Sequence, residues 1–332
     1  MISAMESFFD IALRRLSKLI VISTLFLIFV GALIKSHEVG LSVPDWPTSY
    51  GKQMFSYPIS DMVGGIFYEH GHRLFATVVG FLTLLQSILL AFSNQPLWIK
   101  KMGFVALVLV IIQGLLGGMT VIFFLPPLVS IVHGILAQTF FLSTIFIAYS
   151  LSIIRKNKKS NKYPLSVRRG AVVLTILVYI QLILGAFMRH TASGLAIPDF
   201  PLMGGMWIPT FSDAMINNIN VDLFDKGLDM VSKWQVIIHF LHRLGAIIIS
   251  AVLCFFIYKF GKHVNKNRWE SKILILISII LIIQIILGAA TVLSERMPFI
   301  ASFHVVNGAA LLGCCMVFIL FTQSNKLKDL NF

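Results

Sequence analysis

Eight apolar runs, at about 17–35, 64–92, 102–124, 129–152, 171–188, 233–258, 273–293 and 301–322, constrain what this chain can fold into. Each is long enough to cross the roughly 30 Å of a bilayer's hydrocarbon as a helix. In that solvent every backbone N–H and C=O must be paired internally, so runs of this length predict membrane-spanning α-helices. They occupy most of the 332 residues and leave little for a soluble domain. With 12% charged residues, the chain carries about half the charge of an ordinary soluble domain.

The basic residues predict an orientation. Most of the 27 lie at the N-terminus (Arg14, Arg15, Lys18), at Lys100-Lys101, between Arg155 and Arg169, between Lys259 and Lys272, and in the tail (Lys326, Lys328). Alternate loops are therefore basic, and both termini are expected on the cytoplasmic side. The formal charge of +13 is mainly this collar, whose natural partner is an anionic lipid surface, and no nucleic acid is needed to explain it. The opening MISAMESFFDIALRRLSK contains Glu6 and Asp10 and has no small-residue cleavage site, which predicts an amphipathic lead-in and no removed leader. A bacterial plasma membrane fits, and a mitochondrial inner membrane stays open. Cys254, Cys314 and Cys315 all fall inside expected spans and form no disulfide or zinc pattern.

The chain also matches itself. GALIKSHEVGLSVPDWP at 31–47 lies over GAFMRHTASGLAIPDFP at 185–201, an offset of 154. His72-Arg73-Leu74 then lies over His242-Arg243-Leu244 at 170, because the second outer loop is 16 residues longer. QGLLGGMTV at 113–121 lies over QIILGAATV at 284–292, and His133 over His304, both at 171. The expected fold is thus an all-α integral membrane protein of eight transmembrane helices. They form two pseudosymmetric four-helix bundles, residues 1–155 and 156–332, related as parallel repeats about the membrane normal with both termini inside. The glycines near 117, 185 and 288 are read as close helix packing.

Of nine histidines, only His72, His133, His242 and His304 form repeat-equivalent pairs, each near the outer end of an even-numbered span. A polar side chain inside a membrane helix is costly and marks a functional candidate. Two imidazoles at one depth on different helices of each half are what axial ligation of a haem iron requires, so one haem pocket per half is expected. A tetrahedral zinc site would need further ligands that the apolar surroundings of His133 and His304 do not offer. Arg73 and Arg243, next to the first ligand of each half, suit haem propionates, although snorkelling to the interface accounts for them equally well.

Glu69 lies three residues before His72 and shares its helix face, whereas His70 points away. The second half has His239 at the place of Glu69, where it either supports a neighbouring ligand or serves the fold. A carboxylate in an apolar pocket suits acid–base work at a porphyrin edge, and an i,i+4 ion pair with Arg73 is the structural alternative. The loops around Pro44-Asp45-Trp46-Pro47 and Pro198-Asp199-Phe200-Pro201 are either lids over a haem edge or interfacial anchors. Asp213, Asp222, Asp225 and Asp229 in the longer loop read as a solvated face.

With Glu69-x-x-His72-Arg73, His133, His242-Arg243 and His304 on alternate spans, and with the twin Pro-Asp-aromatic-Pro loops, the chain resembles the haem A synthase family over nearly its whole length. The resemblance implies a membrane oxidase that turns a methyl group of haem O into a formyl group, giving haem A. It implies that His242 and His304 ligate a resident haem b, that His72 and His133 belong to the substrate haem, and that Glu69 is the catalytic carboxylate. The haem O synthase that supplies the substrate is an implied partner. Some bacterial members have cysteines in these outer loops; this chain has none in the first, with Ile197 and Met203 around the second motif, so the electron partner stays unassigned. A two-haem b-type electron carrier would share the ligands but has no use for a lone acid beside one haem. A transporter is disfavoured because the histidines cluster at one membrane face, away from the bilayer midplane.

Overall fold

The computed structural model describes residues 8–156, 163–263 and 268–323. The start of the expected lead-in, part of the basic segment joining the halves, part of the second inner loop and the C-terminal tail lie outside the described residues. Among the described residues ten α-helices run in chain order: α1 Phe8–Ser36, α2 Gly65–Phe92, α3 Leu97–Ile122, α4 Pro127–Ser150, α5 Ile153–Lys156, α6 Leu165–His190, α7 Asp213–Asp225, α8 Lys233–Phe260, α9 Trp269–Leu293 and α10 Pro298–Thr322. All but the short α5 and α7 are long and apolar enough to span a membrane. Among the described residues there is no strand, only the isolated bridges Ser49–Lys52 and Met203–Met206, which stand at equivalent places in the two outer loops.

Several helices begin before the apolar run that announces them. α3 starts at Leu97 just after Pro96, and α6 at Leu165 just after Pro164. Their first turns hold Lys100, Lys101, Arg168 and Arg169, which are helical without being apolar. α4 and α10 each open with a proline at the first helical position, where the missing N–H costs nothing.

Within the spans, hydroxyls find acceptors in their own helix. Ser17, Thr24, Thr83 and Thr175 each donate to the carbonyl four residues earlier, at 2.7–2.8 Å. No polar hydrogen of these four is then left facing hydrocarbon.

In space α1 contacts α2 and α4, and α3 contacts both α2 and α4; α6 contacts α8 and α10, and α9 contacts both α8 and α10. α1, α4, α6 and α10 meet across the middle. Accordingly α10 and α4 are the most enclosed spans, with 56% and 44% of their apolar windows buried against 17–33% for the others. These two central helices carry His304 and His133. The extra length of the second outer loop is α7, an amphipathic helix capped by Ser212, whose hydroxyl accepts from Met215 N–H at 3.2 Å. Met215, Ile216, Ile219 and Leu223 pack under it against Ile197, Met203 and Val236, while Asp213, Asp222, Asp225 and Asp229 face outward.

Close approach across the middle depends on glycine. A methyl group on Gly313 of α10 would stand 3.0 Å from both Phe141 and Ile145 of α4. Gly313→Val is expected to push these helices apart and destabilise the protein by about 1–3 kcal/mol. Thermal unfolding in detergent checks this, and an unchanged midpoint would show that α10 and α4 are not pressed together there.

Candidate functional site

Each of the four repeat-paired histidines is seated against a glycine of the preceding span. A methyl group on Gly31 would lie 3.2 Å from His72 Cε1, on Gly117 3.3 Å from His133 Cε1, on Gly185 3.2 Å from His242 Cε1, and on Gly288 3.1 Å from His304 Cε1. The packing glycines of the sequence are thus the floor under the imidazoles. His242 and His304 face one another with ring centroids 6.3 Å apart and planes at 69°. His72 and His133 lie within electrostatic reach of each other. The Nδ1 atoms of His72, His133 and His304 are buried and meet no hydrogen-bond partner.

Glutamines steady three of the four rings. Gln113 Nε2 donates to the His133 carbonyl at 3.0 Å and lies 3.3 Å from its Nε2. Gln181 Nε2 donates to the His242 carbonyl at 2.7 Å and lies 3.2 Å from its Nδ1. Gln284 Nε2 lies 3.3 Å from His304 Nε2, while its Oε1 accepts from Asn307 at 2.7 Å. His72 has no such companion, because Leu27 stands where the second half has Gln181. Gly245 opens the room that Gln181 fills; its counterpart Phe75 instead packs edge-on against Phe26 at 5.0 Å. The glutamines were legible as repeated residues, but nothing in their spacing alone said that they touch histidine.

Glu69 and Arg73 form a buried ion pair at 2.7 Å, and both reach into the first outer loop. Arg73 Nη1 donates to the carbonyls of Asp45 at 2.7 Å and Thr48 at 3.1 Å, and Nη2 to the Val43 carbonyl at 2.7 Å. Glu69 Oε2 accepts from Val43 N–H at 2.9 Å. The second half repeats the clamp. Arg243 donates to the carbonyls of Leu202 at 2.9 Å and of Ile197 and Asp199 at 2.8 Å. His239 takes the place of the carboxylate, 3.1 Å from Arg243 Nε and 3.2 Å from Ile197 N. A neutral imidazole has one acceptor nitrogen, so it cannot satisfy both donors as Glu69 does. The guanidinium groups expected at propionates therefore point their donors at loop carbonyls, which an extended backbone leaves open.

The loops close on themselves in the same repeated way. Asp45 accepts from Tyr50 N–H at 2.7 Å and Gly51 N–H at 2.9 Å, and Asp199 from Gly204 N–H at 2.7 Å and Gly205 N–H at 2.8 Å. Burial pulls the Asp45 carboxyl upward, but donors from Thr48, Gly51 and Tyr50 outweigh it and hold it below the usual carboxylate range. The turn's contribution to stability is therefore present above the ordinary carboxylate pKa and fades as the pH falls through the lower folded value. Trp46 lies flat over Gly118, where a methyl group would strike the indole. His70 is turned from the pocket, as its spacing predicts, and sits 3.0 Å from Ser49 Oγ beside the Tyr57 ring.

A family model described as cytochrome oxidase assembly protein, COX15-CtaA, matches residues 14–316. The heme A synthase of Halalkalibacterium halodurans is 25% identical over 320 residues, covering 92% of this chain and 95% of that protein. The heme A synthase of Shewanella oneidensis is 26% identical over 336 residues (94% and 96% covered), and that of Pelagibacter ubique 27% over 336 residues (90% and 93% covered).

Removing one partner of the buried pair isolates the clamp. Arg73→Met is expected to cost about 3–5 kcal/mol, because the buried Glu69 carboxylate loses its counter-ion, whereas Arg73→Met combined with Glu69→Leu loses less. Unfolding midpoints give the coupling, and amide exchange should rise around residues 43–50. Additive losses with unaltered exchange would mean that the pair does not hold the loop.

Proposed function

The chain belongs to the COX15-CtaA family of cytochrome oxidase assembly proteins, and from that premise we propose that it is a haem A synthase, oxidising the methyl group of haem O to the formyl group of haem A. The relatives support the synthase over the two-haem electron carrier, and the eight spans make it a multi-pass membrane protein. The observation that carries the haem reading is the facing pair His242 and His304 at 6.3 Å. Two metal–imidazole bonds of about 2 Å, with the half-depth of each ring, would add up to a centroid separation of this size. The buried, unpartnered Nδ1 atoms and the glycine seats fit the same use, since a side chain at the seats would push the rings aside. Among the described residues no three His, Cys, Asp or Glu side chains converge, and the histidines that would hold an iron come in pairs.

In this reading the two four-helix halves hold one haem each. His242 and His304 hold the resident haem b, and His72 and His133 hold the substrate haem O. The bound haem b supplies a redox-active iron. The residues do the rest. The glutamines fix ring orientation, the clamped outer loops cover the pockets, and Glu69 handles the proton beside the substrate. Arg73 and Val43 N–H hold the Glu69 carboxylate in place, which gives it a fixed position relative to the His72 ring one turn away. The termini face the cytoplasm, the membrane is a bacterial plasma membrane, and haem O arrives from the synthase that makes it.

A specific observation favours a second role for Glu69: His239 stands against the same two kinds of donor in the other half, an arginine and a loop N–H, which is the place of a purely positioning residue. The variants separate the two roles. Glu69→His copies the second-half clamp without the carboxylate, and Glu69→Gln keeps the shape without the charge. Both are expected to retain the resident haem spectrum and to stop formyl formation, judged by mass identification of extracted haems. Haem A made at the normal rate by Glu69→His would leave Glu69 a positioning residue. His242→Ala should lose the resident haem while His72→Ala keeps it, and the reverse pattern would exchange the two pockets.

A further inference from the structure

Lys35 and Arg189 occupy equivalent places at the outer ends of α1 and α6, four residues beyond Gly31 and Gly185. That spacing keeps each on the helix face that seats His72 or His242, one turn nearer the outer loops. Arg189 reaches across to α1, where Nη2 donates to the Ala32 carbonyl at 2.5 Å and to Ser36 Oγ at 2.8 Å. Among the described residues its Nε and Nη1 donate to no protein group. Arg296, in the turn before α10, lays its stem over Gly194, where a methyl group would meet Cδ at 3.3 Å. The first half places the apolar Leu125 over Gly40 at this point.

These cations are close together. Lys35 lies within electrostatic reach of Arg189 and Arg296, and His190 within reach of Lys35 and Arg189. The cluster also borders both histidine pairs, with His190 near His133 and Arg189 near His304. The acidic residues beside it, Glu38 near Lys35 and Glu295 next to Arg296 in the chain, are both exposed, and among the described residues none of the three long cations makes a salt bridge. Like charges gathered at a membrane boundary repel unless an anion joins them. A porphyrin edge brings carboxylates, and guanidinium groups with free donors bind them in paired bonds. Arg73 and Arg243 cannot serve as readily, because their donors are taken by loop carbonyls.

We propose that Lys35, Arg189 and Arg296 form a shared carboxylate-binding site for porphyrin propionates, Arg189 serving the second pocket and Lys35 the first. This rests on the reading of the paired histidines as haem ligands. Arg296 has no cationic counterpart in the first half, so the second pocket holds its carboxylates with two guanidinium groups and the first with one ammonium.

The test uses the full-length chain expressed under porphyrin limitation and titrated optically with iron protoporphyrin IX and with its dimethyl ester, which has the same ring but no carboxylate. The wild type should bind the free acid at least about tenfold more tightly, the scale of charge-assisted hydrogen bonds. Arg189→Gln should weaken the acid and leave the ester unchanged, bringing the ratio towards one, while Arg189→Lys keeps part of the preference. The holoprotein of Arg189→Gln should show a lower haem midpoint potential, since removing a nearby cation favours the ferric form. Equal weakening of acid and ester, or an acid-to-ester ratio that Arg189→Gln and Lys35→Gln leave untouched, would overturn the site while leaving the axial ligands standing. Binding that survives His242→Ala together with His72→Ala would instead remove the ligand reading, and this site with it.

Discussion

A hydrogen-bonding nitrogen buried without a partner costs about 1–3 kcal/mol, and three of those found among the described residues are the Nδ1 atoms of His72, His133 and His304, on helices long and apolar enough to cross a membrane. The surrounding structure is arranged to keep these rings where they are. Glycines remove the side chains that would displace them, and glutamines hold three of the four by carbonyl or ring nitrogen. The two most enclosed spans, α4 and α10, each present one ring to a more peripheral partner. A ligand that took up the free nitrogen valence would offset that cost.

The repeat shows which parts of this arrangement are general and which are particular to one half. Seats, loop turns and arginine clamps occur twice with nearly the same distances. The differences concentrate in three exchanges: Glu69 for His239, Leu27 for Gln181, and Leu125 for Arg296. Each gives the two halves a different chemistry on a common frame. A carboxylate satisfies two donors where an imidazole satisfies one, so the first half has the stronger clamp on its loop and the second has the better-held ring.

The spans, their number and the duplication were legible because hydrocarbon imposes long uniform runs and because the two copies align without gaps over whole helices. The four histidines were legible for the same reason. The helix starts at Leu97 and Leu165 were not, since basic first turns carry no apolar signal. Nor was α7, whose buried stripe of Met215, Ile216, Ile219 and Leu223 lies among the acidic residues that read as a solvated face. The fate of Arg73 and Arg243 depended on backbone carbonyls of a loop some 25–46 residues away in sequence, which no side-chain pattern reports.

The outer loops of the two halves are of unequal weight. Over the second, α7 and the loop below it form a small hydrophobic core of their own, from Leu195 through Leu223 to Val236. Over the first, two short 3-10 turns at Met54–Ser56 and Ile59–Asp61 bury none of their residues, and Phe55 and Ile59 stand in the open. Segments with fewer buried contacts open more often. Local opening is therefore expected more often in the first outer loop than in the second.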